Sequence, residues 1–235
     1  MSMYPLSLQE GLILSRPNRF LMNVKLNGHV YLCHCPSTGR IGDIVFDKVS
    51  CLVSKPKIKG DRKTAYTVEA ISLGPPGKHN KNWIGINQSK ANDYLYYFLK
   101  KGALSKMIPT GTIQREVKLG DSRIDFLVGD FYIEVKTPLI MLPGQKHFSK
   151  FNSFDRLIKH YRDLAKSAGK NKAIVLLCYL YDAKPFSPPK TDGTNFRIKN
   201  AVRKATGKGV ENWQVNLKID KKGVKLLRYF RLDFD

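Results

Sequence analysis

The chain has 235 residues, 42% of them hydrophobic and 11% aromatic, enough apolar material for one large core or two modest ones. Lys and Arg number 41 against 19 acids, a net charge of +22, and a folded chain this basic points to a polyanionic partner. Nucleic acid comes first. A membrane surface is disfavoured, because there is no long apolar run, basic amphipathic helix with an apolar face, or lipidation signal.

Residues 12–86 read as all-β. Residues 20–26 alternate and end at Asn27-Gly28, a strong hairpin signal, and residues 29–35 return as a second strand. Further strand-like runs at 50–54, 65–73 and 83–86 are separated by a basic loop over 55–63 and by Gly74-Pro75-Pro76-Gly77. About five short strands predict a small OB-like β-barrel, assigned to residues 1–82. Such a barrel either binds nucleic acid, with Lys57, Lys59, Arg62 and Lys63 as contacts, or serves only as a packing module. Cys33-His34-Cys35 invites a zinc reading, but a structural zinc site needs four suitably spaced ligands; a strand with both cysteines on one face is expected. Cys33, Cys35, Cys51 and Cys178 are too few and scattered for a disulfide scaffold, and the opening MSMYPLSLQEGL lacks a secretory pattern, so a cytoplasmic location is expected.

Residues 83–235 form the second predicted domain. Ala91, Tyr94, Leu95, Phe98 and Leu99 recur at helical spacing over 89–104, with Ser89 as N-cap and Gly102 near the end. After three short strands over 115–136 and a loop to about 150, a helix is predicted over 153–167. Leu157, Ile158, Tyr161, Leu164 and Ala165 face inward, and Arg156, Lys159, His160 and Arg162 are exposed or flanking. Residues 172–180 have the continuous apolar run of a strand buried on both faces. A proline-rich loop around 186–189, a basic helix over 196–206 and a hairpin at Lys221-Lys222-Gly223 complete the chain. The order is α-β-β-β-α-β, an α+β or α/β class.

The chemistry concentrates in 115–136, REVKLGDSRIDFLVGDFYIEVK. With two-residue loops at Gly120-Asp121 and Gly129-Asp130, Glu116 faces Asp125 and Asp125 faces Glu134, a row of three carboxylates on one sheet face. Lys118, Arg123 and Lys136 form a second row, and Val117, Ile124, Phe126, Ile133 and Val135 occupy the opposite, core-facing side. Like charges on neighbouring strands are destabilising, and a divalent cation, Mg²⁺ or Mn²⁺, held by Asp125, Glu134 and Glu116 would explain them. The alternative is a solvated face whose acids pair diagonally with bases. Asp93 either reaches this row or is an exposed helix-start acid.

Asp125, Glu134 and Lys136, spaced D-x8-E-x-K in this element order, resemble the PD-(D/E)XK, restriction-endonuclease-like superfamily. Nearly the whole chain resembles the sugar fermentation stimulation protein A family. The matching segments are Arg19-Phe20-Leu21, His34-Cys35-Pro36-Ser37-Thr38-Gly39, Gly85-Ile86-Asn87, Arg115-Glu116-Val117, Ser122-Arg123-Ile124-Asp125-Phe126-Leu127, Glu134-Val135-Lys136, Lys159-His160 and Phe186-Ser187-Pro188. The sequence departs from the family pattern at Ser37, Gln88, Leu157 and 148–150. The resemblance implies an N-terminal OB-like domain, a C-terminal nuclease-like domain, DNA binding and a link to sugar-metabolism regulation.

Two functions follow as expectations. The first is a metal-dependent DNA phosphodiesterase with Asp125, Glu134, Glu116 and Lys136 as catalytic set, and Lys118, Arg123, Lys159 and His160 near phosphate. The second is a non-catalytic DNA-binding regulatory protein with little sequence preference. RNA remains open, since charge does not distinguish the sugar.

Overall fold

The computed structural model describes residues 2–39, 41, 44–56, 63–140, 142, 154–188 and 193–234. Strand β1 (Met3–Pro5) stands apart from the barrel, whose staves are β2 (Gln9–Asn18), β3 (Leu21–Leu26), β4 (His29–His34), β5 (Val49–Ser54) and β6 (Tyr66–Ser72). Parallel pairing of β4 with β6, at Cys33↔Tyr66 and His34↔Thr67, closes the OB-like barrel. The β3–β4 turn forms at Asn27-Gly28, where φ is +49° and +88°, the backbone that a tight hairpin loop demands. Alternation sends Met22, Val24 and Leu26 into the barrel core, joined by Cys33 and Cys35. All four cysteines are buried and free.

The barrel continues past the expected boundary. Strand β7 (Ile84–Gly85) pairs with β6, so the junction lies beyond residue 83. The start of the chain departs in the other direction: β1 pairs with the last strand of the second domain, and the N–H groups of Leu6 and Leu8 donate to the carbonyls of Lys222 and Lys221, both at 3.0 Å. Residues 3–8 thus cover an otherwise open sheet edge rather than joining the barrel to which 1–82 were assigned.

The second domain runs α1 (Ala91–Lys100), β8 (Ile113–Leu119), β9 (Ser122–Val128), β10 (Phe131–Lys136), α2 (Phe154–Ser167), β11 (Lys172–Tyr179), α3 (Gly193–Thr206), β12 (Val210–Asp220) and β13 (Gly223–Leu232). Its seven strands lie in the order β1-β13-β12-β11-β10-β9-β8. Strands β10, β11 and β12 are parallel neighbours, and antiparallel strands flank them. Helix α1 is shorter than its apolar pattern, because Gly102 at φ +63° ends it in a left-handed stop. Ser89 lies in a 3-10 turn ahead of it, and the N-cap position falls to Lys90.

Strand β11 has helices or barrel on both faces, as its unbroken apolar run requires. Ile174, Leu176 and Cys178 pack with Tyr94, Leu95 and Phe98 of α1, while Ala173 and Val175 pack with Tyr161 and Leu164 of α2 and Ala205 of α3. Farther along, Tyr179, Tyr181 and Ala183 enter the barrel core. The two domains therefore share apolar cores.

Gly85 sits at that seam, donating its N–H to the Leu180 carbonyl at 2.9 Å. A Cβ there would lie 2.5 Å from Leu180 Cβ and 3.0 Å from Leu180 O, and backbone cannot yield as a side-chain tip can. Gly85→Ala is expected to destabilise the chain by about 1–3 kcal/mol, the usual cost of overpacking, read as a lower urea midpoint.

Candidate functional site

Two glycine turns build the site. Gly120 and Gly129 adopt φ of +57° and +59° and fold β8, β9 and β10 into consecutive hairpins. Near the first turn the pairing is the expected one, Leu119↔Ser122, Lys118↔Arg123 and Val117↔Ile124, and it resumes at Arg115↔Phe126. Between them the ladder skips Glu116 and Asp125, and Glu116 has a left-handed φ of +57°. On the other side β9 pairs with β10 only from Phe131↔Val128 to Ile133↔Phe126. The sheet opens on both sides of Asp125.

The opening divides the apolar face that the alternation predicts as one set. Ile124 packs against α2 with Tyr161 and Leu164, whereas Phe126, Ile133 and Val135 pack toward α1; Val117 is only half-buried. The change of neighbours falls where the ladder is interrupted and Glu116 takes its left-handed φ.

Asp125 occupies the gap. Its Oδ2 accepts the Val135 N–H at 2.7 Å, a backbone donor that the strand ladder leaves over, and its Oδ1 accepts Asn92 Nδ2 of α1 at 2.7 Å. Glu134 is 2% exposed. Its Oε1 accepts from Lys136 Nζ at 2.5 Å and from His160 Nδ1 of α2, and Lys136 Nζ lies 3.3 Å from that same ring nitrogen. Glu134 Oε2 is buried and has no hydrogen-bond partner among the described residues.

The two carboxyls titrate in opposite directions. Burial raises Asp125 above its ordinary value, helped by the neighbouring Glu134 charge and opposed by the Val135 and Asn92 donors and the Lys136 charge. Burial pushes Glu134 up as well, but the His160 hydrogen bond and Lys136 outweigh it and hold Glu134 below the usual carboxylate range. Each shift has a separate physical origin.

The other candidates fall in different places. Glu116 leaves the acid row: it is exposed, with its carboxylate 3.0 Å from Arg123 Nε, because its left-handed backbone breaks the alternation. Among the described residues no three His, Cys, Asp or Glu side chains gather as a metal cluster, so the expected three-acid set reduces to the pair Asp125 and Glu134. Lys118 and Arg123 are exposed on the neighbouring strands. Lys159 is exposed and donates to the Asp121 carbonyl at 2.7 Å. His160, expected on an exposed or flanking face, is 4% exposed and touches Glu134 and Lys136 instead. Lys63 is exposed on the barrel; Lys57, Lys59 and Arg62 lie outside the described residues. Asp93 pairs with Lys90 at 3.2 Å and Arg115 at 3.1 Å, while Asn92 beside it reaches Asp125.

Asn92 and the buried role of His160 were missed from sequence. His160 had a signal, since it stands three residues after Leu157 and four before Leu164, on the stripe that α2 buries. Nothing distinguished Asn92 from other polar residues of a first helical turn. The departures from the family pattern are accommodated locally. Ser37 Oγ donates to the Ile86 carbonyl and Gln88 Nε2 to the Thr137 carbonyl, and Leu157 packs against the core beneath α2 and α3; 148–150 lie outside the described residues.

A closed OB-like barrel joined to a mixed α/β sheet, with a half-buried Asp125, a buried Glu134 and a lysine where that sheet opens, defines a two-domain architecture that comparison with known proteins recovers. Residues 14–86 match the SfsA N-terminal OB domain, and residues 89–223 match the sugar fermentation stimulation protein RE domain. The chain belongs to the sugar fermentation stimulation protein (SfsA) family. A sugar fermentation stimulation protein homolog from Shewanella sp. (strain W3-18-1) is 34% identical over 216 residues, covering 87% of this chain and 88% of the relative. A homolog from Clostridium perfringens (strain 13 / Type A) is 28% identical and covers 94% of both. In fold, the chain is similar to Pyrococcus furiosus SfsA, solved in complex with Ca²⁺, with a TM-score of 0.74, 20% identity and 96% of each chain covered.

The raised Asp125 carboxyl has a consequence for stability. A group raised in the folded state stabilises the fold below its ordinary value of 3.8 and loses that contribution as pH rises through the raised value. At neutral pH the charged Asp125 is therefore a cost. Asp125→Asn keeps an oxygen for the Val135 N–H, and the Asn92 amide can turn to meet the new side chain. Without divalent cation it is expected to raise the melting temperature at pH 7 by roughly 2–4 °C, equivalent to about 1 kcal/mol in a chain of this size, with the gain vanishing as pH falls toward 3.8.

Proposed function

We propose that the chain is a divalent-metal-dependent DNA phosphodiesterase whose site is Asp125, Glu134 and Lys136 in the PD-(D/E)XK arrangement. The observation that carries this is Glu134 Oε2, a buried carboxylate oxygen without a hydrogen-bond partner among the described residues, on a residue whose charge adds to burial in raising the neighbouring Asp125 carboxyl above its ordinary value. An unsatisfied buried anion is costly, and a cation would resolve it. Mg²⁺ and Mn²⁺ suit the donors, since Mg²⁺ typically takes one or two carboxylates and completes its shell with waters and substrate phosphate oxygens. The Ca²⁺ complex of Pyrococcus furiosus SfsA supports a divalent site on this fold.

When bound, the cation would polarise the scissile phosphate and lower the pKa of an attacking water. Asp125 and Glu134 would hold it. Lys136, tethered to Glu134 at 2.5 Å with 27% of its side chain still exposed, is placed to orient the water with its remaining N–H groups and to offset negative charge gathering on the phosphate. Lys118, Arg123 and Lys159 surround this edge as exposed cations, and the net charge of +22 favours a polyanion over a small neutral substrate. Four buried, free cysteines suit a reducing cytoplasm, and among the described residues no helix is long and apolar enough to cross a membrane.

The test is a matched assay of wild type, Glu134→Gln, Lys136→Ala and Glu116→Gln on single-stranded, duplex and branched DNA and on RNA, with Mg²⁺, Mn²⁺ or chelator. The expected outcome is metal-dependent cleavage lost in the first two variants by about 10²-fold or more, with binding retained, and near wild-type cleavage in Glu116→Gln. Binding without cleavage under any metal would instead establish a DNA-binding protein that keeps the fold without turnover.

Affinity for DNA is expected to fall steeply with salt. For about 6–10 phosphate contacts the loss between 50 and 200 mM is about 10³–10⁵-fold, measurable by fluorescence anisotropy. A salt-insensitive affinity would contradict the electrostatic basis of the binding.

A further inference from the structure

His160 is the member of the buried cluster to which the phosphodiesterase reading gives no task. It is carried on the face of α2 that packs into the sheet, and only 4% of it is exposed, which removes it from the surface where a phosphate backbone would lie. Its Nδ1 donates to Glu134 Oε1, the oxygen that also accepts Lys136 Nζ at 2.5 Å. Both donors converge on one oxygen, and the other, Oε2, is buried without a partner among the described residues. A glutamate carboxylate turns easily about its last torsion, whose energy wells are broad. Lys136 reaches Glu134 on a flexible four-carbon stem and is partly exposed. The His160 ring, fixed by a helix and buried, is the rigid anchor of the two.

We propose that His160 is a positioning residue for the cation site, its Nδ1–H fixing Oε1 of Glu134 so that Oε2 is aimed at the cation. The proposal rests on the metal-site reading above. It replaces a phosphate contact with an orienting hydrogen bond behind the ligand, the kind of outer contact that tunes metal affinity. It also makes the seating of α2 against the sheet a determinant of cation binding.

The test uses the full chain without nucleic acid, titrated with Mn²⁺ and followed by the electron paramagnetic resonance signal of the free ion. The proteins are wild type, Asp125→Asn, His160→Ala, His160→Asn and His160→Leu. His160→Ala is expected to weaken Mn²⁺ binding about 10–100-fold. Asn, whose side-chain N–H branches from the same γ carbon as the imidazole Nδ1, is expected to recover most of that loss. Leu, which fills the space without a donor, is expected not to, and it serves as the titratable comparison where the alanine variant melts too low. Wild-type affinity in His160→Ala, or recovery by Leu as complete as by Asn, overturns the proposal and leaves a packing role only. If Mn²⁺ binding to wild type survives Asp125→Asn unchanged, the metal-site reading fails and the proposal with it. Loss in Asp125→Asn with retention in His160→Leu overturns the His160 role alone.

Discussion

One backbone donor organises the part of the sheet that carries Asp125 and Glu134. The Val135 N–H lies beyond the last paired residue of the β9–β10 ladder and is met by the Asp125 carboxylate at 2.7 Å. A buried N–H left unmet would cost about 1–3 kcal/mol, so the side chain takes the place of the missing ladder bond, and the sheet opens there without leaving its backbone unsatisfied. The same contact pins Asp125 close to Glu134. Asn92 from α1 holds the other Asp125 oxygen, and His160 from α2 holds Glu134. Each carboxylate is thereby clamped from a different layer of the domain.

The barrel packs against the same sheet where β10 and β11 end. Tyr179, Tyr181 and Ala183, at and beyond the end of β11, enter the barrel core with Ile140 and Leu142 from beyond β10, and the Tyr181 hydroxyl donates to the Ile140 carbonyl at 2.5 Å. The segment immediately after Lys136 is therefore gripped by the junction, where Gln88 also donates to the Thr137 carbonyl. A barrel fused this closely cannot swing freely as a tethered binding module would. Any polyanion spanning both domains meets a surface whose geometry is fixed before binding, which lowers the ordering cost of association.

Much of this was legible in the sequence, and the failures have a common cause. Strict alternation in 20–26, the Asn27-Gly28 turn, the glycine turns at 120 and 129, and the unbroken apolar run of β11 are local signals, and local physics fixes their outcome. That Asp125, Glu134 and Lys136 come together follows from turn position by counting. Counting failed at Glu116, where a left-handed φ of +57° breaks the period that counting assumes; its outward turn and its ion pair with Arg123 follow from a backbone conformation that a non-glycine sequence does not announce. Pairing of β1 with β13 was invisible for another reason. Three residues carry no period, and their partner lies at the other end of the chain.

The local charges bear on how two adjacent acids are kept in so basic a molecule. Bringing a phosphodiester to two adjacent carboxylates is repulsive, and surface cations screened by salt offset it only in part. In this site the acids are instead neutralised unequally. Lys136 and His160 both act on one oxygen of Glu134 and lower it, while burial raises Asp125. The acceptor capacity that remains on Glu134 Oε2 suits a hard divalent ion, which on the proposed reading would reverse the local sign and let a phosphate approach. On the proposed phosphodiesterase reading, the same acids that would repel a phosphodiester become the means of attracting it, provided that both are held in place before the ion arrives. Clamping from α1, from α2 and from the Val135 N–H supplies that condition.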